Sequence, residues 1–193
     1  MTDKKVELRQ AARDVFAQKG YKNTNISDIT KRAGMAVGSF YKHYPSKEAI
    51  FLDVYIEENE TVRGQVIQQV DWQAEPEALI EQFFQVNFSL ILHNKILTEW
   101  NNPAISGVLH QHFSSEEMKE SYHFHQFLVQ TFSERLQEEG IAPDLIGKIM
   151  QVYQLLYYVD CHTTEADFAG YSEAVQTLVQ YFIKGIFADK PQS

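Results

Sequence analysis

Apolar residues recur at intervals of three and four through almost the whole chain, and they never alternate long enough for a strand. That periodicity places side chains on one face of a helix, so the sequence predicts an all-α protein. Leu8, Ala12, Val15 and Phe16 form the first stripe, over residues 3 to 19, with Thr2 as N-cap and Gly20 as stop. Asn25, with Asp28 three residues later, reads as a capping box opening a short second helix that ends at Gly34. A third short helix covers Val37 to Tyr44. Pro45 ends it, and Ser46 caps a long fourth helix from Lys47 to about Val70.

The rest of the chain continues in this manner. Pro76 opens a helix through Phe84, Phe88 and Leu92, and Asn101-Asn102-Pro103 breaks the chain before a short helix to about His112. Ser114 or Ser115 caps a long helix ending at Gly140. Pro143 opens a seam of Leu145, Ile149, Val152, Leu156 and Val159. A last helix runs from about Phe168 to Phe187. Nine helices and no sheet are expected.

Charge divides the chain unevenly. Residues 1 to 55 hold ten Lys and Arg against six Asp and Glu, a balance of +4, whereas residues 56 to 193 hold seven against twenty, a balance of −13. A small basic head on a large acidic body is a two-domain pattern, and the head is the part suited to a polyanion. The boundary is expected near residue 48, giving a basic head at 1–48 and an acidic helical body at 49–193. No apolar run approaches the roughly 18 residues of a membrane span. The first residues lack the apolar core of a secretory signal. With Cys161 as the single cysteine, a cytoplasmic protein without disulfides is expected.

Two short helices, a glycine-containing turn and a basic, aromatic sequel describe a helix-turn-helix. The run from Gly20 to Ile50 carries Thr24, Asp28-Ile29, Ala33-Gly34, Gly38-Ser39-Phe40-Tyr41, His43-Tyr44 and Ser46-Lys47-Glu48. In that order and register it resembles the N-terminal domain of TetR/AcrR-family transcriptional regulators. Two positions depart from the pattern: Ala36 stands where a capping Ser or Thr is usual, and Tyr44 where Phe is.

The resemblance implies a ligand-released repressor on a palindromic operator. Val37, Gly38 and Ser39 would face base edges, with Ala36 at the helix tip, where its methyl suits a thymine methyl. Tyr41, Lys42, His43 and Lys47 would hold the DNA backbone, as would Thr24 and Asn25 at the start of the preceding helix. Such contacts fix register more than sequence. Phe40 and Tyr44 read as core, and Lys31 and Arg32 as either contacts or a solvated face. The final two helices are expected to pair with a second copy in a four-helix bundle. The middle helices would surround a small apolar or aromatic effector, with Phe84, Asn87, Phe88, Trp100 and Tyr122 as candidate lining residues.

Other chemistries find little support. The pairs His110/His112 and His123/His125 are spaced i, i+2, which on a helix points them apart. Cys161 or His162 with Glu165 offers two ligands at most. No nucleophile elbow, HExxH, phosphate loop or dinucleotide fingerprint is present, so neither an enzyme, a metal site nor a cofactor is expected. The competing expectation is a helical protein-interaction module without sequence-specific DNA binding.

Overall fold

The computed structural model describes residues 3–115, 118 and 122–188. Among these it contains nine α-helices, one 3-10 turn and no strand. The helices are α1 (Lys4–Lys19), α2 (Ile26–Arg32), α3 (Val37–Phe40), α4 (Lys47–Gln69), α5 (Pro76–Leu92), α6 (Ser106–Phe113), α7 (His123–Glu138), α8 (Pro143–His162) and α9 (Tyr171–Ala188). The 3-10 turn spans Leu97–Asn101, between α5 and α6.

Local chemistry accounts for most of the ends, and it corrects several expected ones. Thr2 lies outside the described residues. Asp3 caps α1 instead, its carboxylate accepting the Lys5 N–H at 2.9 Å. α3 stops at Phe40, and the expected remainder to Tyr44 is a run of turns. Residues 103–105 turn before α6 begins. The long helix expected from Ser114 or Ser115 is broken at Tyr122, whose backbone is extended at φ −74° and ψ 101°. Its buried ring packs against Phe113 and Phe124, with centroids 5.8 and 6.4 Å away. That packing outweighs the helical spacing of the stretch. Residues 116, 117 and 119–121, over which the expected helix also ran, lie outside the described residues.

Two compact units result. One comprises residues up to Gly64 with Ser89–Leu109, the other Gln65–Phe88 with the chain from His110. The expected head, 1–48, shares the first unit with most of α4, as far as Gly64, and with the stretch around the 3-10 turn.

The first unit has a dense core. Leu8, Ala12, Phe16, Ile29, Phe40, Ile50 and Phe51 are fully buried. The Phe16 and Phe51 rings meet edge to face at 4.8 Å, and Tyr21 approaches Phe51 at 4.9 Å. Each such ring removes enough apolar surface from water to contribute about 1.5–3 kcal/mol. Ion pairs tie the helices at the rim: Arg9 to Glu57 at 2.8 Å, Arg13 to Glu58 at 2.6 Å and Arg32 to Asp14 at 2.6 Å. Being partly exposed, they add little to stability beside the core.

The second unit is looser. Leu136, Ile146 and Ile149 form a cluster flanked by half-buried Phe182 and Ile186. Trp72 donates its indole N–H to the Ile67 carbonyl at 2.9 Å and sets its ring edge-on to Phe127 at 4.9 Å. The Arg135 guanidinium fastens the α4–α5 loop to α7 by donating to Gln73 Oε1 and the Ala74 carbonyl, both at 3.2 Å. No described helix is long and apolar enough to cross a membrane.

Candidate nucleic-acid interface

The interface is built from short-range signals. Asn25 Oδ1 accepts the Asp28 N–H at 2.8 Å, and Asp28 Oδ2 accepts the Asn25 N–H at 3.2 Å, so the capping box starts α2 as expected. Lys19, 3.0 Å from Asp28, and the Asn25 N–H together hold the Asp28 carboxyl below the usual carboxylate range. α2 ends at a reversal in which Gly34 has φ +67°, a conformation that a side chain would oppose. The Met35 N–H then returns to the Thr30 carbonyl at 2.8 Å and aims the chain into α3.

α3 is anchored by one side chain. Phe40 is fully buried, with Tyr41 at 5.3 Å and Tyr44 at 6.1 Å between ring centroids. With Phe40 turned inward, the opposite surface faces solvent. Ala36, Val37, Gly38, Tyr41 and Lys42 are all exposed, Tyr41 to 57%, and Ser39 and His43 are half-buried. Residues 37 and 41 are one turn apart and so share a side. Apart from its chain neighbours and its own helix backbone, no atom of the described residues lies within 4 Å of where a Cβ on Gly38 would sit. Internal packing therefore does not require glycine there, and the space in front of it is open to an approaching surface. Ala36 has N-cap geometry but makes no side-chain cap.

The remaining sequence-derived positions are placed differently. Thr24 is buried, and its hydroxyl donates to the Gly20 carbonyl at 2.7 Å, closing the α1–α2 turn. Asn25 is exposed but commits its side-chain oxygen to the cap. The Lys47 ammonium donates to the Tyr21 and Thr24 carbonyls, both at 3.0 Å, and lies 4.1 Å above the Tyr21 ring. An ammonium has three donors, so the two carbonyls leave one. Thr24 and Lys47 thus brace the turn, while Ala36, Val37, Gly38, Tyr41 and Lys42 form the exposed face. Of the two uncertain cations, Arg32 is paired with Asp14 and helps hold that carboxyl low, and Lys31 is exposed.

Tyr44, like Phe40, is buried in the head core as expected, and Tyr21 is buried there too. Burial, and then a carboxylate beside each hydroxyl, push both phenols well above the ordinary value. Tyr21 donates to Glu48 at 2.8 Å and Tyr44 donates to Asp53. Glu48 is held below the usual carboxylate range, first by its own backbone N–H at the start of α4, then by the Tyr21 hydroxyl and Ser46.

Three contributors were not foreseen in the sequence: Asn94, Lys95 and Glu99. Glu99 Oε1 accepts the Tyr21 N–H at 2.8 Å, and Lys95 donates to the Gln18 carbonyl at 2.9 Å. These partners lie 78 and 77 residues away. No local pattern marks pairings of that range.

The candidate effector residues divide between the units. In the second, Phe84 stacks on Phe88 at 6.1 Å, Asn87 is half-buried and Tyr122 packs on Phe113. Trp100 belongs to the first, where it stacks on Tyr55 at 6.1 Å. Among the described residues no group of three or more His, Cys, Asp or Glu is arranged to hold a metal. Glu165 instead accepts the Gly170 and Ser172 N–H groups at 2.9 and 2.8 Å, closing the α8–α9 loop.

Comparison with known proteins agrees with this geometry. Residues 8–54 match the family model described as bacterial regulatory proteins of the tetR family. The chain is 33% identical over 87 residues to the HTH-type transcriptional repressor KstR2 of Mycolicibacterium smegmatis, covering 45% of this chain and 42% of that protein. It is 27% identical over 117 residues to the fatty acid metabolism regulator protein of Bacillus subtilis, covering 61% and 57%. The matches thus span about half the length of these curated relatives. The fatty acid degradation regulator FadR of Bacillus halodurans has the same fold, with TM-score 0.54 and 18% identity over 96% of this chain and 93% of that one. The family match thus lies in the N-terminal helix-turn-helix stretch, residues 8–54, which is a domain of the tetR family of bacterial regulatory proteins.

Proposed function

We propose that the protein is a sequence-specific DNA-binding regulator of transcription, a cytoplasmic homodimer that represses from a palindromic operator until a small molecule releases it. The observation that carries this reading is the exposed face from Ala36 to Lys42, presented by a buried Phe40 within a tetR-family head. Val37 and Ser39 read base edges in the major groove, with Gly38 allowing close approach. Tyr41, Lys42 and His43 meet phosphates, joined by Lys47 through its third donor and by the exposed α2 start at Asn25, while the buried Thr24 acts only by closing the turn behind them.

Dimerisation is supported by apolar surface that the single chain leaves in water. On α8 and α9 and the loop between them, Leu145, Leu155, Tyr158, Phe168, Leu178 and Tyr181 are 48–70% exposed. α9 packs Phe182 and Ile186 inward against the Ile146 and Ile149 cluster. Leu178 and Tyr181 border that face but stay exposed, and they suit a second copy. The effector is read as apolar or aromatic. Support comes from the aromatic content of α5 and from relatives whose names denote regulators of fatty acid metabolism and degradation. Its binding releases DNA only through differential affinity for two spacings of the heads.

The test is binding of the purified protein to DNA from upstream of its own gene, at two salt concentrations and with competitor DNA. Tight binding that survives competitor is expected. Weak binding without preference, lost steeply with salt, is the result of a head that does not read sequence.

A further inference from the structure

The stretch 94–102 makes the first unit's longest-range polar contacts. Asn94 Oδ1 accepts the Ile96 and Leu97 N–H groups at 3.0 and 3.1 Å, while its Nδ2 donates to Glu58 Oε1 at 2.7 Å. Glu58 takes Arg13 Nε on its other oxygen at 2.6 Å. Lys95 Nζ satisfies the Gln18 carbonyl at 2.9 Å, in the last turn of α1, where carbonyls lack helical partners. Glu99 receives the Tyr21 N–H on Oε1 and the Asn102 amide on Oε2. Ile96 and Leu97, 2 and 3% exposed, seat the stretch in the core.

Both sides of the Tyr21 residue are therefore held. Glu99 binds its N–H and Lys47 its carbonyl. A Cβ on the preceding Gly20, whose φ is +75°, would sit 3.0 Å from Glu99 Oε1, so the carboxylate approaches the turn as closely as glycine permits. This turn is the joint from which α2 and α3 leave α1. We propose that 94–102 is a brace for the DNA-reading head and that Glu99 is its positioning residue, fixing the direction in which α2 and α3 leave α1. The proposal rests on the DNA-binding function above. α5 and α6, which flank the stretch, both run on into the second unit, so the chain there connects directly to the stretch, and Glu99 carries the connection to Tyr21 through its hydrogen bond.

The test compares wild type, Glu99→Ala and Glu99→Gln in two ways. First, hydrogen exchange is followed at residues 18–24 of the free protein. A lost carboxylate bond should speed exchange at Tyr21 by about tenfold or more in Glu99→Ala, and less in Glu99→Gln, whose amide oxygen still accepts. Second, binding is measured to the DNA that wild type selects from a random pool, and to versions with base pairs inserted between its half-sites. Wild type should bind only the selected spacing, and Glu99→Ala should give a flattened profile. Unchanged exchange in Glu99→Ala, or an equal loss at every spacing, overturns the brace. A Glu99→Ala chain that does not fold transfers both readouts to Lys95→Met, with exchange read at the end of α1. Wild type selecting no DNA defeats the functional reading instead, and the exchange measurement still decides whether the brace exists.

Discussion

The two compact units bury their side chains to very different depths. Phe16, Phe40, Phe51, Leu8, Ile29 and Ile50 have essentially no exposure and lie in the first unit, as do Ile96, Ile105 and Leu109. In the second, Val66 alone of the largest fully buried side chains is as deep, Leu136, Ile146 and Ile149 retain 4 to 8%, and large apolar side chains on α8 and α9 stand half or more in solvent. The first unit is also cross-braced by Arg13–Glu58, Arg32–Asp14, Lys47 and Glu99. A unit with a closed core can hold a reading surface rigid by itself. One with open apolar faces gains stability by covering them, which is what pairing with a second copy supplies.

Breaking each unit should expose that contrast. The largest effect is expected in the closed core. Phe51→Ala removes a ring packed on Phe16 and Tyr21 and should cost about 3–5 kcal/mol, read from denaturant unfolding. Placing charge on the open face should do the reverse. Leu178→Lys with Tyr181→Glu should leave the melting of the first unit intact while sedimentation shows a monomer. A dimer that persists would mean that α9 is not the interface.

Smaller changes sharpen the reading surface. Asn25→Ala deletes half of the capping box and should cost about 1 kcal/mol. Lys42→Ala should weaken binding alike on all sequences and reduce the salt slope by about one. Ala36→Ser supplies the missing cap and should add a few tenths to about 1 kcal/mol of stability. Acid acts through carboxyls whose pKa values the fold lowers: Asp14 beside Arg32, Asp28 beside Lys19, and Glu48 under its backbone and Tyr21. A lowered carboxyl contributes stability fully above its unfolded pKa, and that contribution is lost as pH falls through the folded value. Stability, followed by unfolding down from neutral pH, should therefore fall below about pH 4. Asp14→Asn should flatten that dependence.

What was legible in the sequence was what chemistry fixes locally. The Asn25–Asp28 box, the Gly34 reversal, the inward Phe40 and the uncapped Ala36 each depend on residues within a few positions, and each stands where the spacing puts it. The break at Tyr122 was hidden because ring packing on Phe113 overrides a helical spacing that continues through it. Glu99 was hidden because its partner lies 78 residues away. Lys47 was found as a cation at a helix start, but periodicity could not show that two backbone carbonyls already occupy its ammonium.

Sequence reading by the face from Ala36 to Lys42 is tested most directly by selection from random DNA. Wild type, Val37→Ala and Tyr41→Ala would be taken through the same selection and the bound sequences compared. Wild type should enrich a palindrome of two half-sites. Val37→Ala should change bases within each half-site, and Tyr41→Ala should keep the motif with weaker binding. An unenriched pool, or one motif bound equally well by all three proteins, would contradict a reading head at this face.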